Sequence, residues 1–424
     1  MTSPATELPA GYAHLDLECV GNEPDAASAA WQLAESFGFH GSRPEATELG
    51  VAWRHLVTDG SRIRGVIASD RPAPLENHWP VATYRSFDGT VNTGAALADS
   101  NFVSDVTVRG THRRRGLLRA MITRDLVEAR ERGLPFASLT ASEGGLYGRF
   151  GFGVSTRALA VKIARPRDVA WVAPSAGSVD LLTIADAAPV RRELFARWHS
   201  RFRGSHSRKS SYAAYLDALS PTGEDTGRER YAAAHVGADG VDGLVTYRLS
   251  WNGEDTELTV IELLALDSAA ERGLWRYVCG QDLLNTVLAR GVAVDSPVRW
   301  AATDVRAVAE EGERDAMWLR VLDVPQALRL RGWEHDGAVT LRVVDPMGLA
   351  AGTWRVEVLE GRAEVSATGA EPDATLDAGA LATAYTGAAR VAALAAAGRV
   401  VGPGVAAVDV LFATAESPRV ASQF

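Results

Sequence analysis

Cysteine is almost missing from this chain: there are two in 424 residues, Cys19 and Cys279. They stand far apart and without metal-ligand spacing, which excludes a disulfide scaffold and a Cys-rich zinc site. The nine histidines are scattered, with no H-x-x-x-H pair, so no metal is expected. No run reaches the ~18 apolar residues that cross a membrane as a helix. The N-terminal segment lacks the basic-then-apolar order of a signal peptide. A cytoplasmic protein is the resulting expectation. A surplus of basic charge is missing too: the net charge is −9, which argues against a general nucleic-acid binder. What remains is an ordinary globular composition, 46% hydrophobic and 23% charged, with length enough for two to four domains.

The most informative stretch is SDVTVRGTHRRRGLLR, residues 104–119. Val106, Thr107 and Val108 read as the end of a strand. Arg109 to Thr111 read as a turn containing Gly110. Gly116 opens a helix whose apolar residues Leu117, Leu118, Met121, Ile122 and Leu126 recur at helical spacing. The first N–H groups of such a helix have no backbone partner, and its dipole adds partial positive charge there. Strand, basic turn and helix start therefore make a diphosphate site, with Arg113, Arg114 and Arg115 adding formal charge. On residues alone, the stretch equally fits a basic loop before a solvated helix.

The segment R-R-R-G-L-L resembles the acetyl-CoA signature R/Q-x-x-G-x-G/A of the GNAT acetyltransferases. Arg113 and Gly116 match it, and Leu118 replaces the last small residue. Downstream, ASEGGLYGRFGFG at residues 141–153 resembles the next GNAT element, with Tyr147 four residues before Gly151-Phe152. Together the two segments resemble the Eis type, aminoglycoside- and lysine-acetylating enzymes of actinobacteria. The resemblance implies an α/β (α+β) chain with two GNAT-type acyltransferase domains followed by a sterol-carrier-protein-like domain. The expected limits are 1–155 for the catalytic unit, 156–312 for a degenerate central unit and 313–424 for the tail domain. It implies acetyl-CoA as co-substrate, lying on Val106, Thr107 and Val108, on Arg114, Arg115, Gly116, Leu117, Leu118 and Arg119, and beside Ser142 and Glu143. Tyr147 would protonate the departing thiolate. The chain ends in Phe424, whose α-carboxylate would reach the first active site as base. The acceptor would be a primary amine on an aminoglycoside, a lysine or a polyamine-like molecule, with Phe37, Phe39, Trp53 and Gln423 around it; Trp79 is a further aromatic expected near it. A homohexamer is implied as well. Two departures stand out: Gln423 and Phe39 occupy places where an acidic group is expected. The alternative reading is a non-enzymatic apolar-ligand or partner-binding protein that uses the tail domain.

Along the chain, Asp25 is expected to cap a helix carrying Trp31, Leu33 and Phe37, and a second helix is expected at residues 46–56. Strands are expected at 61–69, at 82–87 closed by an Asp88-Gly89 turn, and at 103–108, with a proline-bearing loop at 70–80 between the first two. In the central unit, strands at 179–184, 243–251 and 258–266 and helices at 189–202 and 269–290 are expected. Arg201, Arg203, Arg208 and Lys209 read as a basic, solvated loop. The turn at 267–273 carries Asp267 and Glu271, which would repel a diphosphate, so the central unit is expected not to hold acetyl-CoA. In the tail, strands at 339–344 and 353–359 precede an Ala-rich helix at 376–398. D-A-T-L…L-A-x-x-Y-x-G, from Asp373 to Gly387, carries the likeness to a sterol carrier; a scaffolding role is expected there.

Overall fold

The computed structural model describes residues 7–69, 79–217, 230–253 and 255–422. Twelve strands form one sheet: β1 (Tyr12–Leu17), β2 (Arg62–Ala68), β3 (Ala82–Asn92), β4 (Leu97–Val108), β5 (Phe136–Leu139), β6 (Gly153–Ala164), β7 (Ser178–Leu182), β8 (Arg230–Gly237), β9 (Gly240–Asn252), β10 (Asp255–Ala265), β11 (Thr286–Ala293) and β12 (Val308–Val321). Their spatial order is β1-β2-β3-β4-β5-β12-β6-β11-β10-β9-β8-β7. Strand β12 enters between β5 and β6 and pairs antiparallel with both. The expected limits at 155 and 312 thus fall inside β6 and β12, and the first two units share a continuous sheet.

Each half contains one parallel pair. Strand β4 pairs with β5 from Ser100↔Phe136 to Val103↔Leu139, and β10 pairs with β11 from Glu257↔Thr286 to Val260↔Ala289. A register shift follows in both: Asp105 adopts a left-handed conformation (φ 54°) in β4, and Ile261 is the extra residue in β10. A bulge bends its strand and ends local pairing. Beyond it the two strands separate, leaving a splay in each half.

Helices α1 (Ala26–Gly38), α2 (Ala46–Thr58), α3 (Leu117–Glu131), α4 (Gly144–Tyr147), α5 (Ile184–Arg201), α6 (Ser210–Leu216) and α7 (Ser268–Cys279) cover the sheet. Asp25 caps α1 as expected, accepting from the Ser28 N–H at 2.8 Å. On α3, Leu117, Met121, Ile122 and Leu126 bury one apolar stripe against Val66, Tyr84, Val103 and Leu139. On α7, Leu274, Trp275 and Val278 do the same against Val245, Leu258 and Val287.

Several elements differ from expectation, each for a local reason. Strand β3 runs through Asp88-Gly89, which face Asn101 and Ser100 of β4. Gly89 serves close packing: a Cβ there would meet Ser207 Oγ at 2.4 Å and the Phe102 ring at 2.5 Å. The helix expected at 269–290 ends at Cys279, and TVLARGVA forms β11, paired on both sides by β10 and β6. The helix expected at 376–398 is a strand, Ala374–Asp377, and two helices, Ala378–Thr386 and Val391–Ala396. Asp377 caps the first at the Ala380 N–H, and Gly387 ends it with φ 82°. Helix α5 begins at Ile184, five residues before Pro189. Residues 70–78 of the loop expected at 70–80 lie outside the described residues.

The tail domain is a five-stranded sheet of Gly337–Val344, Gly352–Leu359, Arg362–Ala367, Ala374–Asp377 and Val400–Val401, with helices packed on it. Its core is continuous with the large sheet through Phe136, Leu319 and Val321. The chain then returns to the central unit. The Arg419 N–H donates to the Arg203 carbonyl at 2.8 Å, and Ser422 is held by His206 and Arg208.

Candidate active site

The first splay has the parts of a thioester site. Val106, Thr107 and Val108 lie past the last β4–β5 pair, so the edge of β4 facing β5 carries no ladder partner there. The chain turns at a 3-10 segment, Gly110–His112, and reaches α3 through Arg114 (φ 62°) and Gly116 (φ 81°). Gly116 satisfies the left-handed cap conformation without strain. No side chain caps α3. Arg113, Arg114, Arg115, Gly116 and Arg119 are exposed around that bare helix end, and Arg115 also reaches the Tyr12 hydroxyl at 2.8 Å. Leu117 is buried and Leu118 half-buried against the α3 core, so only their backbone faces outward.

Opposite, Ser142 and Glu143 are exposed and lead into α4, which ends at Tyr147. The Tyr147 ring is buried, edge-on to Phe152 with centroids 6.2 Å apart. Burial, helped by the Glu143 charge, pushes its hydroxyl up to about 12. A phenol that weak parts with its proton only to a strong base.

The wall of the splay on the side of β3 is built from α1. A Cβ on Gly38 would lie 2.5 Å from Thr107 Cβ, so the end of α1 rests directly on β4. Phe37 (60% exposed) and Phe39 (50% exposed) form a rim, with Phe37 edge-on to Trp79 at 6.4 Å. Trp53 is not part of that rim, contrary to expectation. It is 1% exposed, packs with Trp31, Leu56 and Ile63, and donates to the Val20 carbonyl at 3.2 Å. Helical spacing turns it inward, where an indole with its N–H satisfied is stable core.

Behind the rim lies a charged cluster that motif reading missed. Glu35 sits on α1 one turn before Gly38. Asp105 occupies the β4 bulge. Arg85 of β3 is bound to Asp59 at 2.6 Å and to Asp105 at 3.4 Å. Lys209 comes from the loop before α6, and burial lowers its ammonium pKa while Asp105, Asp59 and Glu35 support the charge. Burial and the Asp105 charge push Glu35 up to about 8. The expected solvated loop is thus mostly internal: Arg203 binds the carbonyls of Thr93 and Gly332, Arg208 binds Glu262, and only Arg201 is exposed. The i, i+3/i+4 face shared by Trp31, Glu35 and Gly38 was available in the sequence; the arrival of Lys209 from the other half of the sheet was not.

Ser422, the last described residue, lies near this place. The Ser422 carbonyl lies 3.2 Å from His206 Nε2, and the His206 ring lies 5.7 Å from Phe102 of β4. Gln423 and Phe424 lie outside the described residues.

The central splay is different. A cavity of about 700 Å³ occupies it, lined by Trp198, Tyr212, Glu262, Trp275, Arg290 and Arg419 among others. At the start of α7, Asp267 accepts from the N–H groups of Ala269 and Ala270 at 2.8 and 2.9 Å. That helix end is capped by the chain's own carboxylate.

These features define a GNAT acyltransferase joined to a sterol-carrier domain, and comparison with known proteins agrees. Residues 25–155 and 204–329 each match an acetyltransferase (GNAT) domain family, and residues 324–421 match a sterol carrier protein domain family. The chain is 35% identical over 387 residues to an uncharacterised N-acetyltransferase of Streptomyces avermitilis, covering 89% of this chain and 90% of that protein. It is 32% identical over 360 residues to N-acetyltransferase Eis of Mycobacterium tuberculosis, covering 83% and 86%. The structure superposes on Eis1 of Mycobacterium abscessus with TM-score 0.81 at 26% identity, over 97% of this chain and 100% of that one. A GCN5-related N-acetyltransferase of Anabaena variabilis shares the fold, with TM-score 0.78 at 16% identity over 97% and 100%. The chain belongs to the Eis family of GNAT N-acetyltransferases, and it is an acetyltransferase rather than a non-enzymatic carrier.

Proposed function

We propose that the chain transfers the acetyl group of acetyl-CoA to a primary amine, of aminoglycoside, lysine or polyamine-like type, in the first splay. The uncapped end of α3 beside Arg113, Arg114 and Arg115 carries this reading, since it is built to receive a diphosphate. Acetyl-CoA would lie along Val106, Thr107 and Val108, with the diphosphate on the Arg114–Arg119 backbone and Ser142 and Glu143 alongside. The bare edge of β4 offers N–H groups to the developing oxyanion. Tyr147 gives its proton to the departing sulfur. Phe37, Phe39 and Gln423 border the acceptor, with the Phe424 carboxylate as the base expected from the resemblance. The central splay takes no part, because Asp267 already fills its helix end. No helix among the described residues is long and apolar enough to cross a membrane; a cytoplasmic homohexamer completes the proposal, and sedimentation velocity checks the assembly.

The test is acetyl transfer from acetyl-CoA to a panel of amines, by the full chain and by a chain extended with one Gly after Phe424. The extension moves the terminal charge by ~3.5 Å. Misplacement on the order of 1 Å can cost ~100-fold. Strong loss of turnover with unchanged acetyl-CoA affinity is expected if the terminal carboxylate works at the site. Wild-type turnover in the extended chain removes Phe424 from it.

A further inference from the structure

We infer that the central splay is a second ligand site, which takes an apolar carboxylic acid with its head outward and its body between β10 and β11. The site is separate from the one that receives acetyl-CoA, and it stands whether or not the acetyl-transfer reading does.

The cavity of about 700 Å³ crosses the sheet at the splay. Val287 and Ala289 of β11 belong to the α7 core, so Leu288 and Arg290 face the opposite side. Thr259 of β10, paired with Leu288, and Arg248 of β9, paired with Thr259, line the cavity with them. Tyr212 and Tyr215 of α6 complete that side. The register shift between Arg290 and Val292 then turns Val292 back to the α7 core, where Glu271 and Trp275 line the cavity. The last β10–β11 pair is Val260↔Ala289, and the gap beyond it joins the two sides.

The two ends are unlike. Arg248, Arg290 and Arg314 are exposed, whereas Glu271, Trp275 and Val292 are buried. The cavity therefore opens among arginines and is closed at α7. The chain returning from the tail domain adds a wall: Arg419, Val420, Ala421 and Ser422 line the cavity, and Arg419 reaches Glu271 at 3.6 Å and Asp295 at 3.4 Å.

Charge selects the occupant. Glu262 is bound by Arg208 and lies 3.4 Å from Arg191, and Glu271 accepts from the Ser296 hydroxyl and faces Arg419. Within the lining that leaves Glu257 against three arginines at the mouth, a surplus of positive charge. An arginine fork suits a carboxylate. Inside, Trp198, Val260, Ile261, Leu263, Leu288 and Val292 offer apolar walls to the rest of the molecule. A diphosphate is not the occupant, because Asp267 already holds the N–H groups at the start of α7.

The test compares three ten-carbon probes that differ in the head: decanoate, decanol and decyltrimethylammonium. Each is titrated calorimetrically into the full-length wild type, Arg290→Glu and Ala293→Trp. Wild type should bind one decanoate per chain with a Kd on the order of 50 µM. Decanol should bind more weakly, and the ammonium should not bind. Arg290→Glu replaces an attraction by a repulsion on an exposed residue, and should weaken decanoate about tenfold. Ala293 also lines the cavity, so an indole in its place should fill the space and abolish binding. Arg290→Glu changes no buried residue, so it decides the matter if Ala293→Trp fails to fold. No binding of decanoate by wild type at ~1 mM overturns the inference, as does an ammonium that binds equally well. Decanoate held with unchanged affinity by Arg290→Glu and by a folded Ala293→Trp also overturns it, and would place the probe elsewhere, with the sterol-carrier domain the first place to look.

Discussion

The two splays of the large sheet share a topology and differ in what stands at their ends. Each has a parallel pair, a bulge where that pair stops and a helix starting beyond it. In the first, the helix opens at Gly116 with no capping side chain and exposed arginines around it. In the central one, Asp267 satisfies two N–H groups and neutralises the end of the α7 dipole. At the first bulge stands Asp105, facing Glu35 and Lys209; next to the second stands Glu262, locked by Arg191 and Arg208. The fold supplies the opening in both halves. A few side chains decide whether it can hold a diphosphate and move a proton.

Removing the acid is expected to have the largest effect. Tyr147→Phe deletes only a hydroxyl from a buried ring, so packing against Phe152 survives. Turnover should fall by a factor of about 100 to 10,000. Binding of acetyl-CoA, read by calorimetry, should not change. A Tyr147→Phe enzyme with more than a third of wild-type turnover would leave the sulfur's proton to water.

Making the first helix end resemble the central one comes next. Gly116→Asp places a carboxylate at the start of α3, and a Cβ there meets nothing within 4 Å. Aspartate tolerates the left-handed conformation better than most residues. The fold should hold while the Kd for acetyl-CoA rises at least ~10-fold, which is ~1.4 kcal/mol. The reverse change, Asp267→Asn, should leave one acetyl-CoA per chain. A second site appearing in that variant would show that the cap alone silences the central unit.

The strand end, turn and helix start around Gly116 were legible in the sequence because they are local. Strand, turn, Gly116 and helix fall within sixteen consecutive residues, and each carries its own signal. Strand β12 was not, because its place between β5 and β6 is set by pairing with residues 145 to 185 positions earlier in the chain. Strand β11 was misread as helix because Leu284, Val287, Leu288 and Val292 recur at helical spacing, and a register shift between Arg290 and Val292 hides the strand alternation; only the neighbours on both sides decide. Trp53 was misplaced since an aromatic on an amphipathic helix looks the same whether it lines a pocket or a core. The cluster of Glu35, Asp105 and Lys209 draws on α1, β4 and the loop before α6. No window of sequence contains it.

The smallest effect sharpens the difference between the two bulges. A carboxyl whose folded pKa lies above its unfolded value favours the native state at low pH. That contribution is fully present below the unfolded pKa and is lost as pH rises through the folded one. For Glu35 the window runs from 4.5, the ordinary value, to about 8. Replacing it by glutamine removes the titration. The apparent Tm of Glu35→Gln should therefore match wild type near pH 5 and exceed it by about 2 °C near pH 9, a modest shift in a chain of this size. Calorimetric scans at the two pH values check it. A difference that shrinks with pH would mean that Lys209 and Arg85 outweigh burial and hold Glu35 ionised. Glu35 would then stand behind the Phe37 and Phe39 rim as a fixed negative charge.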